Sequence, residues 1–513
     1  MSRAFRRALV IDGVIVLAWL TSVGMVVVHE RGQLWGGLGN PSATLGAHPN
    51  ASTQWFGIYY QGHKIGFSQT MLVPEEHEGV PGVAVIDMGR LSFNLLGVPQ
   101  RLEVRARAFI DADWRLQVFS ASLRSSTQQL EWTGRRRGDG LEVTVTMPTG
   151  SVTKYLNDPT GSAFVNGLSS WAAFHRLRVG QSGKAWILNP LALSPEVVYF
   201  IVRRTETVEG TLTLVVETDV AGMTTTSWVT PDGRVVKETS PMGWELRSES
   251  QSQALREVHE DAPALDLLST TSVPVDRSIA SPEHVTMLTV LVEGSDGSRL
   301  ATRPGQRVLS PDVLSRYHRP PPDGPWCVLQ LQRLSAPVSS ASLQAMSPNL
   351  RRYQRASLFV QSDDERIVKK AAEIVGAQTD PWAQAMALHQ WVYRTLTKQL
   401  TLGLSSAVDI LATPVGDCQE HTIVFTALAR SLGIPTRMMA GLVYQQGRFY
   451  YHAWPEVWIG QWVPSDPTLG QLIADATHIG LSEAENEQLV ILAQFVGKLR
   501  VQVLDVQQAA SPQ

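Results

Sequence analysis

From Trp55 to about Arg256, short runs of alternating apolar and polar residues are separated by turn signals. Phe56–Tyr60 precedes Gln61-Gly62, Leu102–Ile110 precedes Asp111, and Leu141–Met147 precedes Pro148. Val198–Arg203 and Thr211–Thr218 continue the pattern, and Thr224–Val229 and Val235–Glu238 flank Pro231-Asp232-Gly233. Period-two alternation bounded by turn residues predicts strands, here an antiparallel sheet or sandwich of roughly 200 residues. No catalytic residue types concentrate there, so the stretch 54–256 reads as a structural or ligand-presenting β-rich domain.

Residues 257–281 are polar and irregular and read as a linker. Val285–Val292 is strand-like before the turn Gly294-Ser295-Asp296-Gly297. The proline-rich Arg319–Pro325 excludes helix or central strand, and Cys327–Leu334 is a last strand. These make 282–355 a small β-rich module. The pattern then turns helical. Ser362 with Glu365 reads as a capping box, followed by Ile367, Ala371 and Ile374 at helical spacing until Gly376. Asp380-Pro381 caps a second helix whose buried stripe is Ala385, Leu388, Val392 and Leu396. A shorter helix covers Ser406–Leu411, and strands follow from about residue 436. The expected fold class is therefore α+β, with helices followed by an antiparallel sheet in a domain at 356–490 and a tail at 491–513.

The N-terminus adds a different expectation. Arg3, Arg6 and Arg7 precede Ala8–Val28, a run that is apolar apart from Asp12, Thr21 and Ser22. It is long enough to cross a bilayer, and no small-x-small cleavage site follows. Residues 1–28 thus read as a cytoplasmic N-terminus and uncleaved transmembrane signal anchor, with 29–53 a tether. The remainder would lie on the extracytoplasmic side of a cell membrane.

Composition narrows the partners. With 43% hydrophobic and 18% charged residues the chain is globular rather than disordered, and a net charge of −3 gives no electrostatic case for nucleic acid. The run Arg135–Arg137 sits beside Gly138-Asp139-Gly140 and reads as a solvated turn. Two cysteines make no disulfide framework. Cys327, in an apolar run, reads as a buried inert thiol.

Cys418 is different. Gly416-Asp417-Cys418-Gln419-Glu420 opens a helix with Val424, Leu428 and Leu432 as its stripe, ended by Gly433 and Pro435. A thiol at a helix N-terminus meets unpaired N–H groups that favour its thiolate, although Asp417 opposes this. Arg437–Gln446 and Phe449–Ile459 read as strands, and Gly460-Gln461 turns the chain into Trp462–Thr468. His452 lies in the second strand, and a hairpin at Gly460 brings Asp466 near it. A carboxylate orienting an imidazole that faces a thiol is the arrangement of covalent acyl transfer.

Residues 362–480 resemble the transglutaminase-like superfamily, whose fold is related to papain-like thiol proteases. The resemblance rests on Gly416-Asp417-Cys418, Ala427–Arg430, Gly433–Arg437, Gly441, His452-Ala453-Trp454, Glu456, Trp462 and Asp466-Pro467-Thr468. It implies Cys418 as nucleophile, His452 as general base and acid, and Asp466 as its orienter, with no cofactor. The backbone N–H of Cys418 is a natural oxyanion donor. Pro455 departs from the family pattern and implies an edge or bulge there. Amide or peptide hydrolysis of an extracytoplasmic protein or peptide is the expected reaction. Amine transfer that cross-links proteins and a non-catalytic scaffold are the alternatives. A zinc site of Cys418, His421, His452 and Asp466 lacks the paired short ligand loops of structural zinc. His389, Asp475 and His478 have structural readings only. Trp454, Trp458 and Trp462 read as core.

Overall fold

The computed structural model describes residues 51–509 except 96–97, 113–114, 126–128, 158–176, 190–193, 221–222, 241–242, 257–265, 267–269, 299, 301–302, 336–347, 400–404 and 485–494. These residues fall into two compact units that divide at residues 267 and 268.

In the first unit, fourteen strands, β1 to β14 along the chain, form one sheet among the described residues. β1 (Ser52–Tyr60) pairs with β14 (Trp244–Glu249), and neighbours then follow chain order out to β8 (Gly150–Asn157) and back to β9 (Ser182–Asn189). The alternation is literal: Leu141, Val143, Val145 and Met147 are buried, while Glu142 and Thr146 are exposed. At Gln61-Gly62 both residues take positive φ, 47° and 83°, the twist that a two-residue hairpin requires. Val85 and Val202, from strands far apart in the sheet order, share one apolar cluster. The sheet therefore curls until its two halves bury each other's inner face.

The second unit contains two sheets and four helices that matter for the site. β15 (Val273–Pro274) precedes β16 (Val285–Glu293), β17 (Gln306–Leu309) and β18 (Trp326–Gln332). β25 (Arg500–Gln508), near the end of the chain, pairs with β16 to complete the order β17-β18-β16-β25. Between them lie α1 (Glu365–Val375), α2 (Pro381–Thr395), β19 (Thr397–Lys398), α3 (Ala407–Ala412), β20 (Val415–Gly416) and α4 (Cys418–Ser431). β21 (Thr436–Gln445), β22 (Arg448–Trp458), β23 (Trp462–Pro464) and β24 (Ile479–Glu483) follow. They form the order β15-β22-β21-β24, with β23 also paired to β22. Leu388 and Val392 of α2 pack with Val424 and Leu428 of α4 and Ile367 of α1 in one cluster.

Two expectations are overturned. The described residues are mostly β, with 53% strand and 18% helix, rather than α+β. Among the described residues the major helices are confined to 365–431, and the first unit is almost entirely strand. Secondly, no helix among the described residues is long and apolar enough to cross a membrane. The longest, α2, has 15 residues, against the ~20 a bilayer demands. The expected single-pass anchor, and the cell-membrane localisation built on it, therefore have no support. The run Ala8–Val28 that suggested them lies outside the described residues.

Candidate active site

α4 begins where its sequence says it should. Asp417 is the N-cap: its side chain accepts from the N–H of Gln419 at 2.9 Å, while Glu420 accepts from the N–H of Asp417 at 2.9 Å. Gly416 is required just before it, because a Cβ there would sit 2.3 Å from that of Glu420. At the far end, Arg430 is buried and donates twice to the carbonyl of Thr436 and once to that of Arg355. It ties the end of α4 to the start of β21. Cys418 is thereby fixed as the first residue of a buried helix, itself fully buried.

β22 presents His452. Gln446-Gly447, both at positive φ, turns β21 into β22, and the register pairs Gly441 with His452. Gly441 admits the close approach of β24 and of Trp454, since a Cβ would meet the Ile479 carbonyl at 1.9 Å. On its other side β22 pairs with β15 at residues 448–449 and with β23 at 456–458, which leaves a gap between them. There the N–H of Ala453 donates to the sulfur of Cys418 instead of to a strand. Pro455 lies on the same open side: its carbonyl accepts from Ser465, and it has no N–H to waste.

The hairpin through Gly460 brings Asp466 to His452, with Nε2 2.7 Å from Oδ2. The other oxygen of Asp466 accepts from the N–H groups of Thr468 and Leu469, at 2.8 and 3.0 Å. A carboxylate only accepts, so the proton of neutral His452 sits on Nε2 and Nδ1 is a bare lone pair. That Nδ1 is buried and has no hydrogen-bond partner among the described residues. His452 also stacks on Trp454, ring centres 6.1 Å apart.

Burial and Asp417 push the Cys418 thiol well up, and the Ala453 N–H opposes them. Ionisation to solvent would leave a lone anion in a dry pocket near Asp417, Glu420 and Asp466. Transfer of the proton to Nδ1 of His452 would instead leave a pair of opposite charges, which burial penalises far less.

Sequence reasoning missed two neighbours. His478 donates to the same Oδ2 of Asp466 at 3.1 Å, and its Nδ1 lies 3.2 Å from Asp475. The available signal was Asp475 and His478, two titratable groups three residues apart in the mostly apolar run Leu472–Ile479. His421, one turn along α4 from Cys418, donates from Nδ1 to the carbonyl of Asp417 at 2.6 Å. Its Nε2 is buried without a partner among the described residues, and burial takes its pKa down to about 4. His389 hydrogen-bonds Ser465 at 2.8 Å and is likewise held neutral by burial, at about 4. Trp454 is fully buried, while Trp458 and Trp462 pack edge-on to each other at 5.4 Å.

Beneath β22, Glu456 is fully buried between Arg303 at 2.8 Å and Arg437 at 2.7 Å. Arg303 also donates to the carbonyl of His478 at 2.8 Å, so this ion pair holds the His478 segment against β22. Among the described residues, the metal-type donors that converge are His452, Asp466 and His478, within 4.8 Å of one another. Cys418 and His421 are not among them. Nε2 of each imidazole is taken up by a hydrogen bond to Asp466, and the group reads as a hydrogen-bonded chain.

Residues 368–467 match the transglutaminase-like superfamily. An uncharacterized protein of Haemophilus influenzae is 32% identical over 102 residues, 19% of this chain. The chain spans about a quarter of that relative, 27% of its length. Among solved structures, a putative cysteine protease from Cytophaga hutchinsonii covers 45% of this chain and 89% of its own, with 17% identity and a TM-score of 0.30. A beta-barrel-like protein from Brucella abortus covers 39% and 95%, with 9% identity and a TM-score of 0.27. Likeness at that level carries neither fold nor activity over to this chain.

Proposed function

We propose that the transglutaminase-like segment, residues 368–467, is the centre of a thiol enzyme that transfers an acyl group from a protein or peptide amide through a thioester on Cys418. The observation that carries the reading is Nδ1 of His452, a buried lone pair with no partner. Its ring is oriented by Asp466 at 2.7 Å, and its strand touches the Cys418 sulfur through Ala453. Such a lone pair takes the thiol proton as sulfur attacks the amide carbonyl, then returns it to the departing amine. Asp466 stabilises the imidazolium formed in between. The Cys418 N–H at the start of α4 is the proposed donor to the oxyanion. Water then releases the acid. Water needs no second binding site, so hydrolysis is the proposed outcome and amine transfer the alternative.

The test is alkylation of the full chain across pH 4–9, comparing the parent with Cys418→Ala and His452→Ala. The parent should label well below the pH range of a free thiol, about 8.5. Labelling should vanish in Cys418→Ala and slow by about a thousandfold in His452→Ala. A parent that labels only near pH 8.5, at a rate indifferent to His452, would sink the reading. Incubation with a glutamine-rich protein and a fluorescent amine then separates the acceptors: incorporated label means transfer, and released fragments or ammonia mean hydrolysis.

A further inference from the structure

His478 is fully buried, and both of its ring nitrogens face oxygen. Nε2 points to Oδ2 of Asp466 at 3.1 Å, while Nδ1 points to the carboxylate and the carbonyl of Asp475, each at 3.2 Å. A neutral imidazole carries one N–H and can satisfy only one side. The carboxylates have little use for a proton of their own. Asp466 already accepts from His452, Thr468 and Leu469, and Asp475 accepts from the N–H and hydroxyl of Thr477 and from Gln471. Without a cation between them, two carboxylates would share one dry pocket. The geometry points to a permanent buried imidazolium at 478, a positioning residue that shares Asp466 with His452 and so sets the pH at which Cys418 becomes reactive.

The charged neighbours set this balance. Burial works against a cation at His478, yet Asp475 and Asp466 outweigh it and raise its pKa to about 9. Arg303 touches the backbone carbonyl of His478, but its charge is answered by Glu456. On the thiol side stand Asp417 and Glu420 of α4, which oppose the thiolate, and His421, which is neutral. Lys398 of β19 and His389 of α2 also feel Asp466; burial lowers the pKa of both. His478 is hydrogen-bonded to the very oxygen that orients His452, with ring centres 6.0 Å apart. It draws charge from Asp466, so the carboxylate orients His452 without pinning a proton on it. Removing a positive charge favours the protonated form of every neighbour, thiol and imidazole alike, so reactivity should move to higher pH.

The inference rests on the proposed Cys418–His452 chemistry, and the experiment keeps the two apart. His478→Gln retains an N–H for Asp466 and removes the charge. Its alkylation profile should shift upward by about one pH unit relative to the parent. The maximal rate should stay within a fewfold. Ring nitrogen shifts of histidine-labelled parent protein should show His478 doubly protonated throughout pH 6–8; this needs no variant, should His478→Gln fail to fold. An unshifted profile in His478→Gln, or a neutral His478 ring at pH 7, overturns the inference and leaves the thiol chemistry standing. A parent that labels like a free thiol removes both.

Discussion

Glu238 in the first unit and Glu456 in the second are both buried carboxyl groups on strands. Glu238 meets a hydroxyl, Ser227, at 2.7 Å; Glu456 meets two guanidinium groups. Burial raises Glu238 to about 7 against the pull of Ser227, so it holds its proton up to near neutral pH, far above an ordinary glutamate. In the second unit Asp466, equally starved of water, stays well below the usual carboxylate range, because His452 and His478 outweigh its burial. A dry environment neutralises a lone acid and preserves one that has cations at hand. The curled sheet therefore uses its buried acid as a neutral structural group. The second unit holds charge in place, which the proposed acyl transfer requires.

The largest expected effect breaks the charged side of this contrast. Glu456→Ala leaves Arg303 buried without its carboxylate and Arg437 with Glu483 alone, and should destabilise the second unit by about 3–5 kcal/mol in urea unfolding. A loss no larger than that of an exposed pair, about 1 kcal/mol or less, would mean the site is wetter than its burial implies. The next effect concerns Glu238, whose folded pKa of about 7 lies above its ordinary value of 4.5. The folded state holds the proton more tightly, so its contribution is complete below pH 4.5 and is lost as pH rises through about 7. That loss is roughly 3 kcal/mol. Glu238→Gln should abolish this part of the pH dependence and leave the first unit more stable than the parent at pH 8. Parallel pH curves for the two proteins would contradict it. The smallest effect is Ser227→Ala, which removes the hydroxyl donor to Glu238. It should cost about 1 kcal/mol, more at pH 8 than at pH 5, because an ionised carboxylate needs that donor most.

Local sequence signals carried a good part of the second unit. Asp380-Pro381 starts α2, with Asp380 accepting from Ala383 at 2.8 Å, and Ser406 caps α3. Asp417 and Glu420 form their capping box around Cys418. One cap moved: the expected Ser362–Glu365 box gives way to Asp364, which accepts from Arg366 at 2.9 Å. Ser362 is buried and its N–H already bonds the carbonyl of Val360, so it is not free to start the helix. The pairing of His452 with Asp466 was legible because one hairpin turn separates them. The roles of His478, Asp475 and Arg303 were not. Their partners lie across the fold, as when Arg303 reaches a carbonyl 175 positions away.

By itself the sequence determined the strands of residues 54–256, the caps of α2 and α4, and the order Cys418, His452, Asp466. Those depend on side-chain period, turn geometry and hydrogen bonds within a few residues, and each is written in a short stretch of chain. Only the tertiary structure decided the predominance of β-structure and the open edge of β22 that turns Ala453 toward sulfur. It alone decided which buried acids keep their charge, because that depends on which cations are brought into the same dry space, a matter of distance rather than of sequence separation.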